Sequence, residues 1–251
     1  MEFALYPEFW LAVFQIIMID ILLGGDNAVV IALACRRLPA KQRTRGILWG
    51  TAGAIVLRVV LIFFALSLLT IPLLKLIGAI LLLWIGIKLL LPEEESQHDK
   101  LVGSEKLWGA VKTIIVADFV MSLDNVIAIA GAADSAGGDH RMVLVIFGLL
   151  VSIPIIVWGS QLVVKLMDRF PVIITLGGML LGWIAGEMAV TDPLVAGFIA
   201  DNFNIAAESK VVTYTAATVG ALLVLIGGKT LIARKVAKDA ALSGPENPPA
   251  K

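Results

Sequence analysis

The chain has 251 residues, 59% hydrophobic and only 16% charged, with a mean hydropathy of +0.94, far more apolar than the mixed composition of a soluble domain. Basic and acidic residues balance at 20 each, so no cationic excess points to nucleic acid. One cysteine, Cys35, and two histidines in polar stretches, His98 and His140, exclude an intrachain disulfide and a Cys/His zinc site; any metal would be held mainly by oxygen.

The first residues, MEFALYPEFW, carry Glu2 and Glu8 but no Lys or Arg ahead of the first apolar run. A secretory leader needs a basic start, so this is expected to be the mature N-terminus. Apolar stretches long enough to span hydrocarbon, about 20 residues each, fall near 9–35, 46–69, 72–91, 107–133, 142–165, 170–190 and 211–233. They predict an all-α membrane protein with seven transmembrane helices. The first is followed by CRRLPAKQRTR, and the second and third are parted only by the turn around Thr70, Ile71 and Pro72. Residues 92–106, containing EEESQHDK, read as a solvated cytoplasmic loop, and residues 236–251, ending in the Pro-rich SGPENPPAK, read as a disordered cytoplasmic tail.

Lys and Arg accumulate in cytoplasmic loops. Placing Arg36, Arg37, Lys41, Arg43 and Arg45 inside also places Lys88, Lys100, Lys106, Lys165, Arg169, Arg234, Lys235 and Lys238 inside, leaving Lys75, Arg141 and Lys210 outside. The expected topology has the N-terminus outside, the C-terminus in the cytoplasm, and the chain in a cell membrane.

The segment DILLGGDN recurs as DFVMSLDN: Asp20, Asp26 and Asn27 return as Asp118, Asp124 and Asn125 at an offset of 98, each followed by a small apolar run, AVVIALA or VIAIAGA. At nearly the same offset Gly50 meets Gly148, Pro72 meets Pro171, Gly78 meets Gly177 and Trp84 meets Trp183. An accidental motif match would not keep three helices in register. Residues 1–91 and 107–190 therefore read as two three-helix repeats. An odd number of spans per repeat inverts the second relative to the first, as in many secondary transporters. Residues 191–235 supply an outer loop and a seventh helix, which either covers one flank or serves assembly into a homo-oligomer.

A carboxylate at the centre of a bilayer costs about 2.5–3.5 kcal/mol even on lenient insertion scales, which points to a use for Asp20, Asp26, Asp118 and Asp124. Gly24 and Gly25 weaken the first span and predict a break there, whereas Met121, Ser122 and Leu123 give the second copy no such reason to break. Six residues turn a helix through about 600°, so the two acids of one motif diverge by about 120° unless it unwinds. With unwinding, four carboxylates and the carbonyls of Asn27 and Asn125 can converge as a hard oxygen cage suited to Mn, Mg or Ca. Four negative charges exceed one dication, so proton exchange or Arg58, near the middle of the second span, would balance the remainder.

At these residues the sequence resembles the TerC family of integral membrane proteins, within a wider group of small exporters that includes the lysine exporters. The resemblance covers about 9–233 and rests on GGDN at 24–27 and SLDN at 122–125. The family is associated with tellurium resistance and manganese export. The resemblance thus implies Mn2+ efflux, carried by Asp20, Asp26, Asn27, Asp118, Asp124 and Asn125. No resident cofactor is implied: the ion is substrate, and ligand chemistry alone also allows Ca2+ or another divalent cation.

Blander readings stand beside these. The Asp and Asn pairs could cap broken helices, Gly24 and Gly25 could serve close packing, and Arg58, whose counterpart is Ile156, could be a structural counterion. Lys88 and its counterpart Glu187 read as snorkelling residues, Met18 and Met121 as core packing, and Trp84 and Trp183 as packing or interfacial residues. Rival functions are an intramembrane di-aspartyl protease, a metal sensor or accessory protein, and an organic-solute exporter. The symmetric acidic motifs, without the protease's GxGD and PAL segments, favour a transporter over an enzyme.

Overall fold

The computed structural model describes residues 10–11, 13–15, 17–18, 25–69, 71–91, 103–135, 141–203 and 209–242, with side chains at 65–69, 103–104, 124, 126–135, 141–145, 203 and 238–242 outside the description. Every regular element among the described residues is helical. Residues 10–18 are helical where described, followed by α1 (Gly25–Cys35), α2 (Ala40–Leu69), α3 (Leu74–Leu90), α4 (Gly103–Ser135), α5 (Arg141–Arg169), α6 (Val172–Val190), α7 (Pro193–Phe203) and α8 (Lys210–Leu242). Helices satisfy their own backbone groups, the condition for crossing hydrocarbon. Among the described residues four segments are long and apolar enough to do so: Ala40–Phe64, Ile146–Arg169, Val172–Val190 and Lys210–Ala237, with Gly25–Cys35 a shorter apolar helix. The chain is a multi-pass membrane protein. Its outer surface carries Trp49, Phe63, Phe64, Trp158 and Leu223, all more than half exposed and suited to lipid.

The helices pack in a repeating scheme. α2 lies along α4, α1 along α5, and α3 along α6, while α1 also meets α4 and α2 meets α5. Val30, Leu33, Leu82, Ala117, Val120, Leu181 and Met188 from α1, α3, α4 and α6 form the main apolar core, and Ile31, Ile47, Ile114 and Ile156 form a second one. Helix α8 joins by backbone approach to α6. A Cβ added at Gly182 would overlap the Gly220 carbonyl, and one at Gly186 the Ala216 carbonyl, so the small residues spaced four apart set this crossing.

Basic helix ends share one face. Arg36 Nη2 donates to the Leu89 carbonyl at 2.9 Å, and Arg37 Nη2 to the carbonyls of Leu89 at 3.1 Å and Leu91, satisfying the orphan acceptors at the end of α3. Arg43 bridges to Asp168 at 2.6 Å, and Arg37, Lys88 and Lys106 meet around a cavity of about 210 Å³. The starts of α2 and α4 therefore sit beside the ends of α1, α3 and α5.

At the start of α3, the residue before the helix is Leu73, held in the left-handed region at φ 65° with no capping side chain. The cap comes from 116 residues away: Asp192 Oδ2 accepts from Leu76 N at 3.3 Å, and its Oδ1 accepts from Leu194 N at 3.1 Å in the first turn of α7. The stretch read as an outer loop thus contains a helix, started by an Asp cap and a Pro in the first helical position, where its missing N–H is no loss. Asp192 is fully buried.

Candidate functional site

Helix α1 begins within the first acidic motif. Gly25 opens it, Asp26 lies in its first turn, and Asp26 Oδ1 accepts from Asn27 N at 2.8 Å, placing a carboxylate where the helix dipole favours negative charge. The break expected at Gly24 and Gly25 falls on the edge of residues 19–24, which, with Asp20, lie outside the described residues. The second motif behaves differently. Helix α4 runs unbroken through Asp118–Asn125, because Met121, Ser122 and Leu123 are all compatible with a helix. Asp124 lies in this helix, and its side chain is outside the description. Asn125 is half-buried.

Asp118 points into the protein and meets Arg58 from α2. Arg58 Nη2 donates to Asp118 Oδ1 at 2.6 Å and Arg58 Nε donates to Ser122 Oγ at 3.1 Å. Ser122 Oγ donates in turn to Asp118 Oδ2 at 3.1 Å, closing a three-residue ring. Arg58 is 2% exposed, Asp118 6% and Ser122 0%, so the pair sits in the dry interior rather than at a lipid or water surface. Asp26 interacts electrostatically with both Arg58 and Asp118, which brings the acids of the two motifs to one locality. Beside Asp26, Asn27 is 4% exposed, and neither its Oδ1 nor its Nδ2 has a hydrogen-bond partner among the described residues. Buried amides are almost always paired, so an orphaned one needs an explanation.

Of the residues read from the sequence as ligands, the structure pairs Asp118 with Arg58 and places Asp26 within electrostatic range of both, with Asn27 next to Asp26 in α1. Among the described residues no cluster of three or more His, Cys, Asp or Glu side chains forms; Asp20 and the Asp124 carboxylate lie outside them. Sequence reasoning missed Ser122. Its signal was the departure of the second motif from the first, where Gly24 becomes a hydroxyl residue four positions after Asp118, within reach across one helical turn. Thr51 was missed as well: it lies seven residues before Arg58 on the same face of α2, buried, with its hydroxyl lacking a partner among the described residues.

The flanking candidates are engaged locally. Lys88 Nζ lies 4.7 Å from the Trp84 ring centre, and Glu187 Oε1 accepts from Trp183 Nε1 at 2.9 Å, so two corresponding positions each hold their own tryptophan one turn away. Met121 is part of the apolar core.

The model of the TerC integral membrane protein family matches residues 5–239, nearly the whole chain and both acidic motifs. The chain belongs to the TerC family. It is similar to the membrane protein YjbE of Bacillus subtilis, 43% identical over 198 residues that cover 79% of this chain and 88% of that one. Identity to YkoY of the same organism is 26%, covering 76% of this chain and 63% of YkoY, and to YegH of Escherichia coli 28%, covering 70% and 36%. The chain thus aligns with only about a third of YegH. No solved structure matches the chain.

Proposed function

We propose that this TerC-family protein moves a divalent cation, Mn2+, out of the cytoplasm by alternating access, with Asp20, Asp26, Asn27, Asp118, Asp124 and Asn125 as the ion site. The observation that carries the reading is the buried pair of Arg58 on α2 with Asp118 on α4, with Asp26 of the other motif within electrostatic range of both. Acids from two matching motifs, drawn together where each is costly, are the expected signature of an intramembrane cation path. The orphaned Asn27 carboxamide adds a neutral oxygen donor of the kind a hard cation takes.

The packing scheme supports two inverted repeats. The pairing of α2 with α4 has its exchanged counterpart in α1 with α5, and α3 with α6, α1 with α4 and α2 with α5 each pair equivalent helices. A seven-span arrangement follows if the helix at 10–18 joins α1 in one interrupted crossing. It also needs the 17 residues of α3, at the short end of the spanning range, to reach across. The shared basic face of α1, α2, α3 and α5 is then cytoplasmic. A transporter rather than a hydrolase is favoured because both Asp118 oxygens engage Arg58 and Ser122, whereas a di-aspartyl hydrolase shares a proton between its acids.

Proteoliposomes holding wild type or the double variant Asp26→Asn plus Asp124→Asn test this, with Mn2+ flux followed with and without a pH gradient. Flux in wild type alone establishes the transporter, and a response to the gradient establishes proton coupling. Metal binding without flux in wild type would instead mean a sensor or accessory role.

A further inference from the structure

The acidic site contains a cation of its own. Arg58 places its guanidinium 2.6 Å from Asp118 Oδ1 and ties its Nε to Ser122, whose hydroxyl holds the second carboxylate oxygen. A dication on Asp118 would stand at about 2.0–2.6 Å from the same oxygens, within a few ångströms of that fixed positive charge. In a dry interior such repulsion is large, so metal and guanidinium compete for one carboxylate.

Two further observations give the competition a direction. Arg58 is 2% exposed and cannot fall back on water when displaced, but Asp26 lies within its electrostatic reach as a second anionic partner. The arrangement is also one-sided. The position corresponding to Arg58 in the second repeat is Ile156, buried among Ile31, Ala34, Ile47 and Ile114. The first repeat therefore supplies a buried cation where the second supplies a hydrocarbon side chain. Asn27, whose carboxamide has no partner among the described residues, is a polar group whose ligand the ion pair does not supply.

We infer that Arg58 is a tethered competitor of the transported cation: it neutralises Asp118 in the unloaded protein and is displaced when a divalent ion enters. This rests on the transport reading and gives that site its empty state. An unloaded carrier must return through its conformational cycle, and bare buried carboxylates would oppose that step. With Arg58 on Asp118 the empty site is compensated, so net transport can proceed without a second ion on every return. Loaded-for-loaded exchange does not need the Arg.

The experiment compares wild type, Arg58→Gln and Arg58→Lys in proteoliposomes by three measurements: equilibrium Mn2+ binding, net Mn2+ efflux into metal-free buffer, and exchange with Mn2+ on both sides. Glutamine is shorter and uncharged but places an amide donor where Nε reaches Ser122. It is expected to tighten Mn2+ binding by about tenfold or more, the scale of one lost competing ion pair, to preserve exchange, and to slow net efflux by a similar factor. Parallel loss of exchange and net efflux without tighter binding would show Arg58 to be merely structural and overturn the inference. Should Arg58→Gln fail to insert, Arg58→Lys decides. It keeps the charge but loses the planar fork, so tighter binding with net efflux retained supports the competition, and unchanged or weaker binding overturns it. Wild type that binds no Mn2+ would overturn the transport reading and this one with it, whereas wild-type transport unaffected in all three measurements by Arg58→Gln would remove only the role of Arg58.

Discussion

Arg58 and Asp118 illustrate how unequal the two ways of removing a buried charge pair are. Taking one partner leaves the other desolvated, at a cost of about 3–5 kcal/mol, while neutralising both costs far less. Asp118→Asn should therefore destabilise the protein by about that amount, and Asp118→Asn with Arg58→Gln should recover much of the loss; thermal unfolding of the purified protein in detergent checks both. Equal stability of the single and double variants would mean that water reaches the pair. Both charges were legible as ionisable residues in apolar runs, because the membrane makes every such residue conspicuous. Their partnership was only half legible: Arg58 stood out as a charge-balancer, but which acid it faced depends on α2 lying along α4, across 60 residues of chain. Ser122 was illegible for a simpler reason, since a serine in a helix more often bonds a nearby backbone carbonyl, as Ser160 does to Ile156.

Helix crossings in this protein depend on where side chains are missing. Along α6, Gly182 and Gly186 admit the backbone of α8, and Trp183 between them meets Tyr214 with ring centres 6.0 Å apart. Gly186→Leu must push against the Ala216 carbonyl and is expected to cost about 1–3 kcal/mol and to part the helices, read by lost cross-linking between cysteines placed at Trp183 and Tyr214. Gly197→Ala provides the contrast. Nothing lies within 4 Å of the added methyl, so α7 should gain about 0.5–1 kcal/mol from its better helix former. Apolar runs announced the long helices because hydrocarbon leaves the backbone no alternative. Helix α7 was overlooked although Asp192 and Pro193 spell a helix start, because 11 residues are too few to register as a span. The continuity of α4 shows the reverse limit: the second motif keeps its helix because Met121, Ser122 and Leu123 are all compatible with one.

For the whole molecule, the arrangement of charge gives one testable orientation. Arg36, Arg37, Arg43, Lys88 and Lys106 gather on one face, tied by hydrogen bonds to the ends of α3 and by the Arg43–Asp168 bridge to the end of α5. In a Cys35→Ser background, Lys41→Cys should react with a membrane-impermeant maleimide only after cells are permeabilised, and Lys210→Cys in intact cells as well; the opposite pattern would reverse the direction assigned to transport. This face was legible in the sequence as clustered Lys and Arg. The contacts that bind it together were not, because they pair side chains with backbone carbonyls some 50 residues away, as Arg36 does with Leu89.

Asp192 sets a mechanical condition on any motion of this protein. One buried carboxylate terminates two helices that belong to opposite halves of the chain, with one oxygen for each. Pulling them apart would strip an N–H of its acceptor where no water replaces it. The start of α3 and the start of α7 are thus pinned as a single joint, so a gate that opens must swing about this corner and cannot pass through it.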